Sequence, residues 1–514
     1  MNKPMRGLRV EPAPNGHAGW VIDALGIVLT RSPETPLTQH LYRALRGWVQ
    51  EGRLVNGQQL PSSRLLAREL GLGRNTVIAA FDQLIAEGFL ETRHGAGTFV
   101  ADLTFGELAA EACNAGSGRN QTGALPALSR RGEQLLLRSG TGAGRHPAFA
   151  PGVPALDRFP REIWQRLLRR HVQRMPSAWM DYQTQGGVPA LREALSDYLR
   201  LSRSVRCRPE QVLVVQGAQQ GFELIARMLG DSGDRVWIEE PGYGGAQACF
   251  ASAGFEMVPV PVDDEGMDIA AAPHGKAQAA PRLIYVTPSH QYPSGVTMSL
   301  ARRLALLEAA ERHDAWVIED DYDSEFRYGQ RPIAALQGLV ADPRVIYVGT
   351  LSKVMYPGMR LGYLVLPESL IEPFRRVNAR LHREGQYAVQ AALAEFISCG
   401  QFSRHISRMR ECYRGRQARL REALAPAVAQ GLRLSEGLAG MHLVAWLDRH
   451  EDESALVAAA EPQGIGLSPL SHYYLQPPGR PGLVLGYAGA DDTEIERAGS
   501  WLANEWLKLT GRTG

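Results

Sequence analysis

Lysine is nearly missing from this chain. Its 56 basic residues comprise four lysines (Lys3, Lys276, Lys353 and Lys508) and 52 arginines. A guanidinium stays protonated under protein conditions, so any amine nucleophile must come from those four positions. Cysteine is scarce as well, and Cys113, Cys207, Cys249, Cys399 and Cys412 form no CxxC pair. That scatter argues against a zinc site or a disulfide framework and fits a reducing cytoplasm. No stretch approaches the roughly 20 apolar residues of a membrane span. The apolar run 20–29 is short, contains Asp23 and lacks a small-residue cleavage site, which makes it a poor signal peptide. Net charge is only +2, too little for the overall balance to announce a nucleic-acid or membrane partner.

What is present is an ordinary globular composition, 44% hydrophobic and 21% charged, over 514 residues. A length prior suggests about three domains. Four zones appear: a Pro/Gly-bearing leader at 1–35, a periodic segment at 36–101, linker composition at 102–146, and an α/β pattern at 147–514. The linker holds a Gly/Ser/Asn cluster at 114–123, a short helical stretch, and a second Gly-rich run at 139–144. In the last zone, apolar runs at 211–215, 235–238, 282–286, 315–318 and 345–348 alternate with helical stretches such as 219–229 and 300–313. Short strands apolar on both faces predict a largely parallel sheet. Helices at 387–399 and 402–424 followed by mixed strands predict a smaller lobe (147–184 and 381–514) beside a large one (185–380).

In the second zone, Leu37, Leu41, Leu45, Trp48 and Val49 share one helical face. Leu60-Pro-Ser-Ser-Arg-Leu-Leu-Ala-Arg-Glu-Leu70 supplies serine caps and a second helix, and Gly71-Leu-Gly73 a turn. A third helix follows from Arg74 to Ile85, with Val77, Phe81, Leu84 and Ile85 inward. Its first turn therefore points Arg74, Asn75 and Thr76 outward. Residues 88–100 read as two strands around a glycine turn, with Arg93 and His94 at the tip. The segment resembles the GntR-type winged helix-turn-helix through its Leu-Pro-Ser-Ser-Arg, Arg-Asn-Thr-Val, Glu-Gly-Phe-Leu and His-Gly-Ala-Gly-Thr-Phe-Val runs. The resemblance implies double-stranded operator DNA as partner. Arg43, Arg64, Arg74 and Arg93 would hold phosphates, while Asn75, Thr76 and the wing tip at His94 and Gly95 would help read sequence. Seven arginines against five acids over 36–100 are no basic stripe, which leaves a small protein-binding helical module as the alternative.

Lys353 follows the apolar strand in Tyr347-Val-Gly-Thr-Leu-Ser-Lys353. Open α/β sheets bind ligands at the carboxyl ends of their strands. A lysine desolvated there can lose its proton and form an imine with an aldehyde, the chemistry of pyridoxal 5′-phosphate. Asp320, in Ile318-Glu-Asp-Asp-Tyr-Asp323, could keep the ring nitrogen protonated, and Tyr322 could donate to the ring hydroxylate. Gly217-Ala218-Gln219-Gln220 opens a helix directly after a strand, which suits a phosphate. Thr350, Ser352 and Arg360 would complete that cup, and Tyr243 could stack on the ring.

From about residue 147 onward the chain resembles fold-type I pyridoxal-phosphate enzymes, the aminotransferase family. That resemblance places the Schiff-base lysine at Lys353, the ring-nitrogen acid at Asp320 and the phosphate arginine at Arg360. It also implies a homodimer in which Tyr182, in Tyr182-Gln-Thr-Gln-Gly186, reaches the partner's phosphate. Two departures stand out. His290-Gln-Tyr-Pro-Ser-Gly295 has Tyr292 where the family carries the asparagine that contacts the ring hydroxyl, and Val484 occupies the position of the substrate-carboxylate arginine. Arg480 lies nearby but out of register. His442, His472 and Tyr473 are weaker pocket candidates that read more readily as packing.

Both ends together, with the His290–Pro293 and Glu319–Phe326 signatures, resemble the MocR subfamily of bacterial transcriptional regulators. The resemblance implies a cytoplasmic, DNA-binding regulator in which an effector (amine, amino acid or pyridoxal phosphate itself) sensed at the Lys353 imine alters operator binding. The alternative is an active aminotransferase that carries an accessory DNA-binding module.

Overall fold

The computed structural model describes residues 36–102, 128–138, 148–272, 280–329, 333–341 and 344–511. The leader at 1–35, Lys276 and most of the linker lie outside the described residues. The chain divides between Ala127 and Leu128 into two units.

The first unit holds three helices and a hairpin. Helix α1 (Leu37–Gln50) buries Leu41, Tyr42, Leu45, Trp48 and Val49, the face expected from the spacing. Helix α2 (Ser63–Glu69) starts where the Ser62 side chain accepts the Leu65 N–H at 3.3 Å, a cap worth about 1 kcal/mol. Helix α3 (Arg74–Ala86) packs Val77, Ala80, Phe81 and Leu84 into the same core. Strands β1 (Leu90–Arg93) and β2 (Gly97–Val100) pair antiparallel, with Arg93 opposite Gly97. Gly95 (φ +75°) and Gly97 (φ +114°) take the left-handed conformations that this tight reversal needs.

In the second unit an eight-stranded sheet runs in the order β3-β10-β9-β8-β7-β4-β5-β6. Its strands are β3 (Val212–Val215), β4 (Arg235–Glu240), β5 (Glu256–Asp263), β6 (Gly266–Met267), β7 (Leu283–Val286), β8 (Trp316–Asp321), β9 (Val345–Thr350) and β10 (Gly362–Val365). The five apolar runs became β3, β4, β7, β8 and β9. The parallel core is β5-β4-β7-β8-β9. The sheet is nevertheless mixed, because β10 lies antiparallel between β3 and β9. Its four residues follow directly on the Pro357–Arg360 turn, leaving room only for a short return rather than a helical crossover.

Helices cover both faces. They include α4 (Arg130–Arg138), α5 (Arg161–Gln173), α6 (Pro189–Arg203), α7 (Ala218–Leu229), α8 (Gly244–Ala253), α9 (Leu300–Arg312), α10 (Ile371–Leu381), α11 (Tyr387–Ser398) and α12 (Gln401–Ala429). The helical stretch expected within the linker is α4, and it packs on α8. A second sheet, β11 (Arg433–Leu434), β12 (His442–Trp446), β13 (Ser468–Pro469) and β14 (Gly482–Gly486), runs in the order β11-β12-β14-β13. Backbone bridges from Ala148 to Ile465 and from Phe149 to Gly486 tie the start of this unit to it.

One buried arginine locks the main sheet to its flanking helix. Arg203, at the end of α6, donates to the Asp321 carboxylate (2.7 Å), the Ile333 carbonyl (2.7 Å) and Ser289 Oγ (2.5 Å). Removing it leaves the buried Asp321 carboxylate with the Tyr347 hydroxyl but no countercharge, so Arg203→Ala should cost about 3–5 kcal/mol. Denaturant unfolding should show the transition of the second unit moving to lower denaturant while that of the first stays in place.

Candidate functional site

The carboxyl ends of β3, β4, β7, β8 and β9 converge on a cavity of about 350 Å³. Past β3, Gly217, Ala218 and Gln219 line it, and past β4, Tyr243; Thr287 and Tyr292 follow β7. Asp320, Tyr322 and Asp323 come from the end of β8, and Thr350, Ser352 and Lys353 from the end of β9. Arg360, Met441, His442, Pro151 and Gly152 complete the walls. Of the ten residues chosen from sequence for a cofactor, nine therefore meet in one cavity. Tyr182 is elsewhere: it is 71% exposed, and the Arg383 guanidinium lies 4.6 Å from its ring centre.

Lys353 Nζ donates to the Gly152 carbonyl at 2.8 Å. Burial lowers its pKa, and the Asp323 and Asp320 carboxylates oppose that shift, so the amine is biased toward its nucleophilic form. Glycine suits position 152, since its φ is +75° and a Cβ would lie 2.6 Å from Nζ and displace the lysine amine. Asp320 accepts from Tyr285 Oη at 2.5 Å, and burial raises its carboxyl to about 7. Such an acid regains its charge readily once a cation faces it.

Arg360 takes a left-handed backbone (φ +50°) and donates to the Gln216 carbonyl at 3.3 Å. Its guanidinium lies 3.7 Å from where a Cβ on Gly217 would stand. Gly217 (φ +88°) precedes α7, whose first-turn N–H groups have no partner within the helix. Guanidinium, two hydroxyls and a helix N-terminus together form a donor set for a phosphate. Gln219 Nε2 donates to Tyr243 Oη at 3.2 Å, which fixes the tyrosine ring at the wall.

Sequence reasoning assigns His290 no side-chain role in the site and offers His442 and Tyr473 only as weaker candidates that read more readily as packing. His290 Nδ1 lies 3.1 Å from both Asp323 oxygens and 2.9 Å from Tyr322 Oη. Tyr322 is therefore held by an imidazole, and the expected donation to a ring hydroxylate has a competing partner. His442 lines the cavity with its Nε2 at 2.9 Å from the Pro293 carbonyl. Burial, with the neighbouring His290 adding to it, drives the His442 pKa down to about 3, so the ring is neutral. Ligand atoms of His290, Asp323 and His442 lie within 4.8 Å of one another, and the carboxylate–imidazole contact accounts for that closeness. Tyr292 Oη is 3.1 Å from Tyr473 Oη, so Tyr473 supports the wall from behind. His472 is not among the lining residues. Val484 is fully buried with Val444 and Leu470, and Arg480 stacks on the Trp446 ring at 3.8 Å.

The first unit presents its own polar surface. Arg43, Arg64, Arg74, Asn75, Arg93, His94 and Gly95 are exposed, and Thr76 is half-buried. Among the described residues Arg43, Arg64 and Arg74 form no ion pair, whereas Arg93 pairs with Glu91 (2.6 Å) and lies over the Phe99 ring (4.6 Å). The wing arginine is thereby held in one orientation at the hairpin.

Comparison with known proteins matches both units. Residues 37–100 match the family described as bacterial regulatory proteins, gntR family, and residues 152–500 match aminotransferase class I and II. The probable rhizopine catabolism regulatory protein MocR of Rhizobium meliloti is 42% identical, over 94% of this chain and 96% of its own. The pyridoxine biosynthesis transcriptional regulator PdxR of Corynebacterium glutamicum is 31% identical, over 92% of this chain and 96% of its own. Among solved structures, Pyrococcus horikoshii kynurenine aminotransferase in complex with PMP is 26% identical with a TM-score of 0.66, covering 78% of this chain and 99% of that one. LysN, the alpha-aminoadipate aminotransferase of Thermus thermophilus, complexed with N-(5′-phosphopyridoxyl)-L-leucine, is 26% identical with a TM-score of 0.65, covering 79% and 100%. The chain belongs to the MocR-type GntR-family transcriptional regulators, in which a winged helix-turn-helix is joined to a fold-type I aminotransferase-like domain.

Proposed function

We propose that this regulator binds pyridoxal 5′-phosphate in the cavity and alters its hold on operator DNA when an effector engages there. The observation that carries the reading is the convergence on one cavity of Asp320 from the end of β8, Lys353 and Arg360 from the β9–β10 connection, and the start of α7 at Gly217–Gln219. Arg360, Thr350, Ser352, Ala218 and Gln219 would hold the phosphate, Asp320 the ring nitrogen, and Tyr243 and Tyr322 would flank the ring. When bound, this cofactor supplies an aldehyde that condenses with primary amines. The chain's own part is to bias Lys353 toward its neutral form by burial and to set an acid opposite the ring nitrogen. Tyr182 would reach the phosphate of a partner subunit in a homodimer. Arg43, Arg64, Arg74 and Arg93 would grip DNA phosphates, with Asn75, Thr76, His94 and Gly95 assisting the reading of sequence. These roles belong to a cytoplasmic protein.

The route from cavity to linker is short. Tyr243 lines the cavity and caps α8. A Cβ on Gly245, in the first turn of α8, would meet the Tyr243 ring and Gln219 at 2.5 Å. Helix α4, within the linker that leads back to the DNA-binding unit, packs on α8, and its Leu135 shares a second cavity with Gln219 and Arg360. A ligand that shifts Tyr243 or Arg360 would therefore act on α4, provided it binds two conformations unequally.

Three outcomes are expected. The purified protein should acquire a visible absorbance on adding pyridoxal phosphate, and Lys353→Ala should abolish it; borohydride reduction with peptide mapping should find the adduct on Lys353. Arg74→Ala should weaken retardation of the promoter beside its own gene by about tenfold and lower the slope of log K against log salt by about one, with the absorbance unchanged. Leu135→Asp should leave both absorbance and basal retardation in place while flattening the response of retardation to cofactor. Steady amino-group transfer with no retardation would favour the accessory-module alternative.

A further inference from the structure

The ring of His290 sits where two glycines leave room for it. A Cβ on Gly440 (φ +84°) would stand 1.9 Å from its Cε1, and one on Gly295 (φ +80°) 3.3 Å from its Nε2. In that slot Nδ1 faces three oxygens at once, both of Asp323 at 3.1 Å and Tyr322 Oη at 2.9 Å. The side chains of His290 and Asp323 are almost wholly buried, so water does not dilute these contacts. Asp323 also faces two cations, Lys353 and Arg327, whose charges it supports. His442, uncharged at its depressed pKa, lies with its ring centre 5.1 Å from that of His290.

A ring nitrogen carries either a hydrogen or a free lone pair, never both. A carboxylate offers only lone pairs, so the nitrogen that meets it must bring the hydrogen. Nδ1 is therefore the donor, and it cannot accept the hydroxyl hydrogen of Tyr322. That hydrogen is turned away from the imidazole. Burial first, then the nearby Asp323, Tyr292, Asp320 and Glu239, push the Tyr322 phenol well above its ordinary range, so the hydrogen stays on the oxygen. Tyr322 lines the cavity, and the cavity is where a ligand oxygen can receive it.

Resting on the cofactor reading above, we infer that Asp323 and His290 are positioning residues that aim the Tyr322 hydroxyl into the cavity as a donor to the ring hydroxylate. Asp323 fixes the hydrogen on Nδ1, and the filled Nδ1 denies Tyr322 an acceptor on its own side. A donor at that hydroxylate weakens its hold on the proton of Lys353 Nζ, so the loaded protein releases the proton at lower pH. Without the Asp323 carboxylate, Nδ1 is free to accept, the tyrosine hydrogen turns to the imidazole, and Nζ keeps its proton to higher pH. Simple loss of the Asp323 charge has the opposite sign, because that charge supports the Lys353 cation.

Two measurements test this. Neutron diffraction from the cofactor-free wild-type protein locates the hydrogens and does not depend on the cofactor reading. A hydrogen on His290 Nδ1 is expected; a bare Nδ1 with the Tyr322 hydrogen directed at it overturns the inference. The second measurement follows the visible absorbance of full-length, pyridoxal-phosphate-loaded protein against pH. Loading is established first by the borohydride adduct on Lys353; its absence brings down the cofactor reading itself, whatever the hydrogen positions show. Asp323→Ala and Tyr322→Phe should each raise the titration midpoint by about one pH unit. Added to Tyr322→Phe, Asp323→Ala should give no further rise. A midpoint unmoved or lowered in Asp323→Ala alone overturns the inference, and so does a further rise in the double variant. If Asp323→Ala does not take up cofactor, the neutron result decides.

Discussion

Five acids crowd into seven residues at the end of β8, Glu319, Asp320, Asp321, Asp323 and Glu325, and the site depends on how each is satisfied. Glu319 accepts the backbone N–H groups of Leu336 and Gln337 at 2.8 and 3.1 Å. Asp320 takes the Tyr285 hydroxyl, Asp321 the Arg203 guanidinium and the Tyr347 hydroxyl, Asp323 the His290 ring, and Glu325 the Tyr198 hydroxyl. Burial pushes Glu319, Asp320 and Glu325 up to about 7, so their charge is conditional on their neighbours. The partners come from α6, β7, β9 and the loops beyond β7 and β8. The position of Asp320 is thus set by much of the large sheet and not by its own strand.

Lys353 answers a different constraint. Desolvation can strip a proton from an ammonium but not from a guanidinium, so a chain built on arginine keeps a lysine where its amine must react. The backbone that receives it comes from far away: Gly152 is 201 residues earlier, and its carbonyl accepts a hydrogen bond from Nζ while its missing Cβ makes the space. That segment is also bridged to β14 at Phe149 and Gly486. The lysine therefore reports on the lobe that carries His442 and Val484 as well as on its own sheet.

Legibility from sequence followed the range of the interaction. The first unit was readable almost residue by residue, because caps, helical spacing and a glycine turn are local, and Ser62, Val77 and Gly95 do what their neighbours in the chain dictate. Lys353, Asp320 and Arg360 were readable because each lies at or beyond the carboxyl end of an apolar strand and carries a distinctive chemistry. What escaped was contact without local signal. His290 reaches Asp323 across 33 residues, and His442 reaches the Pro293 carbonyl across 149. The only available hint was that both histidines stand beside apolar runs, where an imidazole must find a partner. Strand β10 escaped for a related reason: four apolar residues have no periodicity of their own, and their antiparallel direction is fixed by the turn at Pro357–Arg360.

The phosphate cup has a consequence for how a regulator of this kind can switch. Gln219 and Arg360 line both the cofactor cavity and the cavity that Leu135 of α4 closes. On the proposed reading, two groups that would hold the cofactor also lie beside α4. Cofactor binding alone would order Arg360, whose left-handed backbone and exposure leave it otherwise lightly held. An effector that works only on the aromatic side has to act through Tyr243, the one aromatic of that wall that also caps α8. On that reading the two signals would reach α4 by different residues, Arg360 for occupancy and Tyr243 for effector. A protein wired in this way would respond to the cofactor and to an effector with separate free energies, which a single rigid contact between the cavity and the linker could not provide.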